Sequence, residues 1–446
     1  MLSPHRSSTA RRCTAGCGSR TRSASSRSRL RVRHPGGYPV STGLLPVGGV
    51  ASASYAHDVN VDGKILVSGA GVAGLTAAYW LTAYGFEVTV VERAPGLAPG
   101  GQGLDIRGPA LQVAQRMNLL DTIRQRGTQQ RGMSVVDAEG HELFRSTERT
   151  LTGGQFDAPD IEILRDDLCD ILFDAVGAKA EFLFGNRVAG LHTHDDGATV
   201  TFGNGVIRDF DLVIGADGLH SGVRGLVFGP SQDFHHHLSG YLAVFSVPNF
   251  LGLDHWQTFH KHDHAVIGVL GVRPDDRARA YVMFDTDERF GYDYRDVTAQ
   301  KNLVAGWLAG AGWEVPRILA HLTDADDFHV DNYGQVRMDS WVRGPVALVG
   351  DAGFSTSPRT GQGTTVAMVA AYVLAGELSA HHGDLAAGLA SYEAALRDYV
   401  IRNQRRAQEL TSHVLLETSS EHAADTHPEG IPDFGSMTEP FALKNY

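Results

Sequence analysis

The stretch that decides the fold is KILVSGAGVAG, residues 64–74, in which a short aliphatic run leads directly into three spaced glycines. A run of this length and composition predicts a buried strand. The apolar spacing that follows predicts a helix over about 72–84. A second aliphatic run, 87–91, predicts the next strand of the sheet. The order strand, glycine turn, helix and strand indicates an α/β unit with a parallel sheet.

Each glycine of this turn has a physical role. Gly69 permits the tight turn, Gly71 lets the backbone approach a pyrophosphate, and Gly74 lets the helix pack closely on the strand. The start of the helix offers unpaired N–H groups and a partial positive charge to phosphates. Glu92, at the end of the second strand, presents a carboxylate that can accept hydrogen bonds from an adenosine ribose. These residues predict a dinucleotide site but do not decide between NAD and FAD.

Two later segments favour FAD. The first is DLVIGADG, residues 211–218, a strand that ends in Asp217 and a glycine. The second is GPVALVGDA, residues 344–352, another strand, which ends in Gly350 and Asp351. A carboxylate at such a strand end can accept a hydrogen bond from a ribityl hydroxyl.

The residues after the third strand complete this second cradle. Pro358, Gly361 and Gly363 form a turn that brings the backbone close to a planar ring, and an alanine-rich helix is predicted over about 364–378. The start of that helix directs its positive end toward the ring, which stabilises a reduced, anionic flavin. A dehydrogenase that binds only a nicotinamide has no use for a second cradle so far along the chain.

The three segments, in this order, resemble the class A FAD-dependent monooxygenases, an aromatic-hydroxylase family with a para-hydroxybenzoate-hydroxylase-like fold. The likeness spans about 64–405. GGQGLDI, residues 100–106, is similar to the segment of tetracycline-inactivating monooxygenases in which an Asp contacts FAD. ILRDDL, residues 163–168, is similar to the Arg-x-x-Leu helix start of the family. An Arg that this subfamily uses to contact NADPH falls near Ala98 here, which leaves the choice between NADH and NADPH open.

The motifs and the resemblance together imply a set of FAD-binding residues. Asp105 and Arg165 enter it by resemblance, with a turn acid and a surface Arg as the alternative interpretations. The cofactor-binding residues are Gly69, Gly71, Gly74, Glu92, Arg93, Asp105, Arg165, Asp217, Gly350, Asp351, Pro358, Gly361 and Gly363.

The resemblance implies an α/β fold: a Rossmann-type FAD-binding domain with an inserted β-sheet substrate domain and a C-terminal bracing helix. The boundaries expected along the chain are a disordered basic extension at 1–60, a discontinuous FAD-binding domain at 61–130, 160–234 and 336–384, a substrate-binding sheet at 131–159 and 235–335, a C-terminal helix at 385–415 and a flexible tail at 416–446.

The sheet region contains candidates for a substrate pocket. Runs at 241–247, 265–272 and 280–284 predict strands. The aromatic candidates for pocket walls, each of which could equally pack in the core, are Trp256, Phe259, Phe284, Phe290 and Tyr292.

Histidines of the same region invite a metal hypothesis. Strand alternation would place His260, His262 and His264 on one face, and a second group lies at 235–237. Flavin chemistry needs no metal, so no metal site is predicted. These histidines are interpreted as polar loop or edge positions, with substrate binding as the alternative.

Composition limits the partners. The chain has 446 residues and a net charge of −12, although its first 60 residues hold nine Arg and a single acid, Asp58. The strongly acidic remainder disfavours nucleic acid as a partner. No apolar run reaches the roughly 20 residues of a membrane span. Cys169 is alone in the body of the chain, which favours a reducing cytoplasm.

The basic extension is open to two interpretations, an organelle transit peptide or an upstream start that precedes the true protein. The second is favoured. Ordered structure is expected to start near Lys64.

The activity that the resemblance implies is that of an FAD-dependent monooxygenase. Such an enzyme takes electrons from NADPH or NADH and transfers one oxygen atom of dioxygen, through a flavin hydroperoxide, to an aromatic or polyketide-like small molecule, with antibiotic biosynthesis or resistance as the setting. No catalytic side chain is predicted, because the cofactor carries the chemistry.

Three other flavoprotein classes are alternatives. An FAD-dependent reductase or dehydrogenase without oxygen insertion stays open, and so does a non-catalytic flavoprotein. A flavin halogenase is disfavoured, because the tryptophans at 80, 256, 307, 313 and 341 form no Trp-x-Trp pair.

Overall fold

The computed structural model describes residues 63–148, 159–272, 277–290, 295–409 and 438–446. The extension expected at 1–60 lies outside the described residues, as do most of the tail and Tyr292.

A largely parallel sheet is built on the stretch quoted first. Within the described residues it has six strands, all parallel to their neighbours except for the first pair. In order across the sheet they are β19 (Val342–Arg343), β20 (Val346–Leu348), β11 (Leu212–Gly215), β1 (Lys64–Ser68), β2 (Glu87–Glu92) and β7 (Glu181–Phe184). The two strands expected from the glycine motif are confirmed, and they are the third and second strands from the β7 edge. The strands that carry the second and third motifs, β11 and β20, follow on the other side of β1.

Helices cover this sheet. The helix predicted after the glycine turn is confirmed as α1 (Val72–Ala83), and the alanine-rich helix as α9 (Gly363–Ala380). These two helices pack on each other, and α4 (Arg165–Val176) packs on α1. By length and composition α9 could cross a membrane, but 83% of it is buried inside the protein, so it is a core helix.

The C-terminal helix braces the fold. It begins at the expected residue and is described as α10 (Leu385–Glu409), which packs on α9. Its Tyr392 Oη donates to the carbonyl of Leu348 at 2.8 Å, and its Gln404 Nε2 donates to the carbonyl of Val336 at 2.7 Å. The remaining helices are α2 (Pro109–Arg116), α3 (Leu120–Arg126), α5 (Gly222–Val227), α6 (Val297–Trp307), α7 (Val315–Leu322) and α8 (Asp351–Phe354).

A second sheet forms the inserted part. Within the described residues it has seven strands, antiparallel apart from the pair formed by the fifth and sixth. In order they are β17 (His329–Asn332), β13 (Tyr241–Pro248), β16 (Arg277–Phe284), β15 (Ala265–Gly271), β14 (Trp256–His262), β4 (Gly132–Val136) and β5 (Glu142–Ser146). All of them fall inside the segments expected for the substrate-binding sheet, although the exact domain boundaries stay a prediction.

The two faces of this sheet differ in what they contact. Side chains alternate along a strand, so every second residue points to the same face. One face, with Phe245, Ile267 and Val282, is buried against α6 and α7. The opposite face points toward the glycine motif and forms a cavity wall described below.

Short sheets connect these parts. They are a three-stranded one of β10 (Ile207–Phe210), β9 (Gly197–Phe202) and β8 (Val188–His194), a pair of β3 (Gly103–Ile106) and β6 (Ile161–Leu164), and a pair of β12 (His235–His236) and β18 (Gln335–Val336).

The prediction of a flexible tail is wrong for residues 438–446, which lie against α9. The ring of Tyr446 occupies the space beside Gly376, where a Cβ atom would overlap it. Its hydroxyl donates to Glu377 at 2.8 Å, and Lys444 forms an ion pair with the same carboxylate. Glu377 is 3% exposed, and a carboxylate buried to this degree requires partners, which the tail supplies.

Replacing Tyr446 tests this contact. Tyr446→Ala removes both the ring and the hydrogen bond, so we expect the free energy of unfolding to fall by about 2 kcal/mol. Tyr446→Phe is the matched control, because it keeps the ring and should cost about half as much. Urea denaturation measures both. Two variants as stable as the parent would show that the tail contributes nothing.

Candidate active site

A single cavity of about 1070 Å³ lies between the glycine motif and the seven-stranded sheet. Eleven of the thirteen predicted cofactor-binding residues line it. The other two, Gly74 and Gly350, are set behind its wall. The structure therefore brings the three motifs together, while their contact with FAD stays a prediction.

The glycine turn has the geometry expected for phosphate. A Cβ on Gly69, whose φ is +110°, would collide with the carbonyl of Ala216, and one on Gly74 would overlap the carbonyl of Gly69. Gly71 differs, because no other heavy atom lies within 4 Å of the position of its Cβ. It is the N-cap of α1 and makes no side-chain cap bond, so the first N–H groups of that helix are available to an anion.

Glu92 is fixed by this turn. Its Oε2 accepts a hydrogen bond from the backbone N–H of Ala70 at 2.9 Å, and its Oε1 accepts one from the N–H of Ala94 at 2.8 Å. Each carboxylate oxygen can accept a second hydrogen bond, so Glu92 can still receive ribose hydroxyls from the cavity side.

Asp217 caps a helix at the cavity wall. Its Oδ2 accepts hydrogen bonds from the backbone N–H groups of Gly222 at 2.8 Å and Val223 at 3.1 Å, and its Oδ1 accepts one from Ser221. These bonds hold the start of α5 against the end of β11.

Arg224, for which the sequence suggested no role, connects the second motif to the third. Its guanidinium is fully buried and donates to the carbonyls of Ala352 at 2.8 Å and Leu219 at 2.6 Å. Burial lowers its pKa, and the nearby charges of Asp217 and Asp351 oppose that shift. The signal in the sequence was its place seven residues after Asp217, on the short helix that the acid caps.

The third motif forms the other end of the cavity. Asp351 begins α8 and lines the cavity, and enclosure by protein raises its pKa while Ser355 lowers it. Gly361 has a φ of +63°, and a Cβ there would lie 2.7 Å from Asp105 Oδ2. The helix α9 starts at Gly363 without a side-chain cap bond, and nothing lies within 4 Å of the Cβ position of that glycine.

A cluster of charged side chains connects β3 and β6 at this end of the cavity. Asp105 and Glu162 are paired across the two strands. Arg107 Nη2 donates to Asp105 Oδ2 at 2.8 Å, and its Nε lies 3.8 Å from Asp160 Oδ2. Burial, and then the charge of Asp105, raise the pKa of Glu162 to about 8. Burial also raises the pKa of Asp105, against the lowering effect of Arg107.

Neither Arg107 nor Glu162 is among the residues predicted from the sequence. An acid in the otherwise apolar strand IEIL, residues 161–164, was the available signal. Arg165, in contrast, lines the cavity as expected and donates to the carbonyl of Ala98 at 3.2 Å.

The seven-stranded sheet supplies the opposite wall. Tyr281 Oη accepts a hydrogen bond from the N–H of Gly103 at 2.7 Å, which joins the two walls. The sheet residues that line the cavity are Leu242, Gln257, Phe259, Leu270, Tyr281 and Met283.

Of the five aromatic candidates for pocket walls, Phe259 lines the cavity. Phe284 is on the other face, where its ring stacks on Trp307 with centroids 4.6 Å apart, and Phe290 packs on the same indole. Trp256 donates to Ser134 at 3.1 Å and is covered by Arg145. Trp256, Phe284 and Phe290 thus pack outside the cavity, which is the alternative that the sequence left open. For Trp256 and Phe284 the reason is that successive residues of a strand point to opposite faces, whereas Phe290 follows the end of β16.

The histidines at 260, 262 and 264 do not lie together on one face of a strand. His260 is buried, with its Nδ1 3.1 Å from the carbonyl of Val136, and β14 ends at His262. His264 therefore falls in the turn, so the alternation expected over the three residues is broken. Among the described residues, a group whose donor atoms lie within 4.8 Å of one another occurs instead at Asp137, Glu139 and His141, in an exposed turn.

The walls of the cavity fit FAD. Two helices begin at it without side-chain caps, beside glycines whose missing side chains leave open space. Glu92 and Asp351 add acceptors for hydroxyl groups. A dinucleotide with a pyrophosphate, a ribose and a ribityl chain requires these features.

Comparison with known proteins gives three similarities. The model of the FAD binding domain family matches residues 62–411. An uncharacterized protein of Mycobacterium tuberculosis (strain ATCC 25618 / H37Rv) is 50% identical over 341 residues, which cover 76% of this chain and 91% of that protein. A flavin-dependent monooxygenase of Legionella longbeachae serogroup 1 (strain NSW150) is 35% identical over 385 residues, covering 86% and 98%.

A solved structure is also similar. The crystal structure of tetracycline destructase Tet(51) superposes with a TM-score of 0.78 at 35% sequence identity. The match covers 86% of this chain and 100% of that one. The inserted sheet is therefore part of the likeness, together with the dinucleotide-binding part.

Proposed function

Because this chain belongs to the FAD binding domain family and is an FAD-dependent monooxygenase, we propose that its cavity holds FAD and a fused-ring phenol or enol side by side. The main support for the proposal is that the glycine motifs and the inner face of the seven-stranded sheet form opposite walls of the same cavity. As is typical of the family, NADPH or NADH supplies the electrons and dioxygen the transferred atom.

The residues that would hold FAD follow from the walls. The N–H groups at the start of α1, beside Gly71, would bind the pyrophosphate, and Glu92 would accept from the adenosine ribose. Asp351 would accept from the ribityl chain, and the turn before Gly363 would face the ring. When bound, FAD activates dioxygen for transfer to an electron-rich carbon, a reaction that no side chain can supply.

The protein positions the substrate and excludes water. Leu242, Phe259 and Leu270 give the sheet wall an apolar surface against which fused rings can lie. Gln257 and Tyr281 add the few polar groups that orient a ligand in such a pocket. The transferred oxygen atom is electrophilic, so it requires an electron-rich acceptor. A phenol or an enol is such an acceptor. The solved structure of a tetracycline destructase with the same fold supports a substrate of this size and kind.

Labelled oxygen tests the proposal. The FAD-loaded enzyme is given NADPH, ¹⁸O₂ and, one at a time, tetracycline, 4-hydroxycoumarin and a dihydroxyanthraquinone. We expect at least one of them to accelerate NADPH oxidation and to gain one labelled oxygen atom. If none accelerates it and all electrons appear as hydrogen peroxide, the proposed substrate class is wrong.

The location in the cell also stays a proposal, and a reducing cytoplasm is the one we favour. Cys169, the free cysteine of the described residues, is buried. Burial raises the pKa of its thiol to about 11, which keeps it protonated and unreactive.

A further inference from the structure

Three polar side chains meet on the substrate side of the cavity: Glu162 of β6, Gln257 of β14 and Tyr281 of β16. We call them the Glu162 cluster. Phe259 and Leu270 lie on the same wall. Behind Glu162, the charged Asp105 is paired with it across the two strands. A few converging polar groups in an apolar wall are what fixes the orientation of a small ligand.

We propose that Glu162, as a neutral carboxylic acid, donates a hydrogen bond to the enolate or phenolate oxygen of the substrate, and that the Tyr281 hydroxyl donates a second one. The inference rests on the proposed function, because it takes a phenol or enol as the ligand. Glu162 would then be the residue that selects the ionised form of the substrate.

The arrangement of charges keeps the proton on Glu162. Its partner across the strands, Asp105, holds the guanidinium of Arg107 at 2.8 Å, and Arg107 faces Asp160 on its other side. Among the described residues no ion pair joins Glu162 to a cation. Two of the three carboxyl groups thus contact the one guanidinium, and Glu162, which has no ion pair with it, retains its proton most easily. The pKa of Glu162, raised to about 8, agrees with this arrangement.

Tyr281 is held as a donor. Its oxygen accepts a hydrogen bond from the N–H of Gly103 at 2.7 Å, so its own O–H is left to be donated. Gly103 also lies beside Glu162, because a Cβ on that glycine would be 2.9 Å from Glu162 Oε1. Burial and the nearby Glu162 raise the pKa of Tyr281, so its hydroxyl stays protonated at neutral pH. Both side chains therefore lie beside Gly103, and both line the cavity.

Four titratable or charged groups lie around Glu162. They are Asp105 and Arg107 from the β3 segment, Asp160 from its own segment, and Tyr281 from β16. Burial raises the pKa of Asp105 and that of Asp160, and the charge of Arg107 lowers both. Replacing Glu162 alone tests whether its ionisation, and not that of its neighbours, affects the ligand.

The dissociation constant of an enolate probe, measured against pH, tests the inference. 4-Hydroxycoumarin is a fused-ring enol that is ionised throughout neutral and alkaline pH, so its own charge does not change. It is titrated into the FAD-loaded protein by calorimetry between about pH 6 and pH 10. Above the pKa of Glu162 the donor becomes a carboxylate, and the dissociation constant should rise toward tenfold per pH unit.

Three variants identify the side chain that causes the pH dependence of the dissociation constant. In Glu162→Gln the amide donates at every pH, so the dissociation constant should stay flat within about twofold. Asp121→Asn is the matched control, since Asp121 is 91% exposed on α3 and does not line the cavity, and it should follow the parent. Tyr281→Phe should weaken binding about tenfold at all pH values and keep the pH dependence.

The outcomes separate this inference from the proposed function. A parent protein whose affinity is flat with pH, or a Glu162→Gln variant that loses affinity with the same slope, overturns the role of Glu162. The parent profile decides this even if a variant does not fold. If the parent does not bind 4-hydroxycoumarin at any pH, the proposed substrate class fails, and the role of Glu162 fails with it.

Discussion

Gly71→Ala is expected to fold like the parent and to lose FAD. Its backbone is extended, with φ −85° and ψ −174°, which alanine adopts without strain. The added methyl would meet no protein atom within 4 Å, so it enters the open space at the start of α1. That is where the pyrophosphate would lie, and a clash there should weaken FAD binding about 100-fold, or nearly 3 kcal/mol.

Two other glycine variants control this prediction. Gly306→Ala adds a methyl to α6, also with nothing within 4 Å, and should leave FAD binding unchanged. Gly74→Ala would overlap the carbonyl of Gly69 and should destabilise the whole fold. Flavin absorbance and circular dichroism measure cofactor content and folding separately. If Gly71→Ala retains FAD with the affinity of the parent, the pyrophosphate does not lie at this turn.

Leu242→Trp is expected to keep FAD and lose turnover. Leu242 lines the sheet side of the cavity and belongs to none of the buried clusters of the described residues, so a larger side chain would extend into the space assigned to substrate. We expect the acceleration of NADPH oxidation by substrate to fall about 100-fold, because the fused rings can no longer take up their reactive position. FAD content should not change.

Leu143→Trp is the matched control for this variant. Leu143 is on the edge strand β5 and is 67% exposed, so the same substitution there adds a ring in solvent. Stopped-flow absorbance of the flavin and product analysis follow reduction and oxygen transfer. Equal loss of activity in both variants, or full activity in Leu242→Trp, would show that the substrate does not lie under the sheet.

The side of the cavity that we assign to FAD was predictable because its requirements are local. A turn at Gly69, close packing at Gly74 and a carboxylate at the end of a strand each place a specific residue at a fixed spacing. The strands and helices around them therefore emerged at their expected positions. The resemblance added Asp105 and Arg165, which line the same cavity.

The substrate side was not predictable in the same way, because it depends on which face each strand turns inward. Met283 lines the cavity while the adjacent Phe284 stacks on Trp307 behind the sheet, so a shift of one residue reverses the assignment. The pairing of Asp105 with Glu162 joins segments far apart in the chain. Only the register of β3 and β6 brings them together.

The position of residues 438–446 could not be predicted from their composition. That composition indicated flexibility, yet residues 438–446 supply partners to a carboxylate inside α9. Glu377 in an otherwise apolar helix was the signal that some segment had to cover it.

We propose that one cavity holds FAD along the glycine motifs and the substrate under the sheet. The decisive measurement is a crystal structure of the protein with FAD and 4-hydroxycoumarin. We expect density for the pyrophosphate within hydrogen-bond distance of the N–H groups that follow Gly71, with the ring beside Gly361 and the probe against Tyr281. Flavin density elsewhere, or a probe bound outside this cavity, would contradict it.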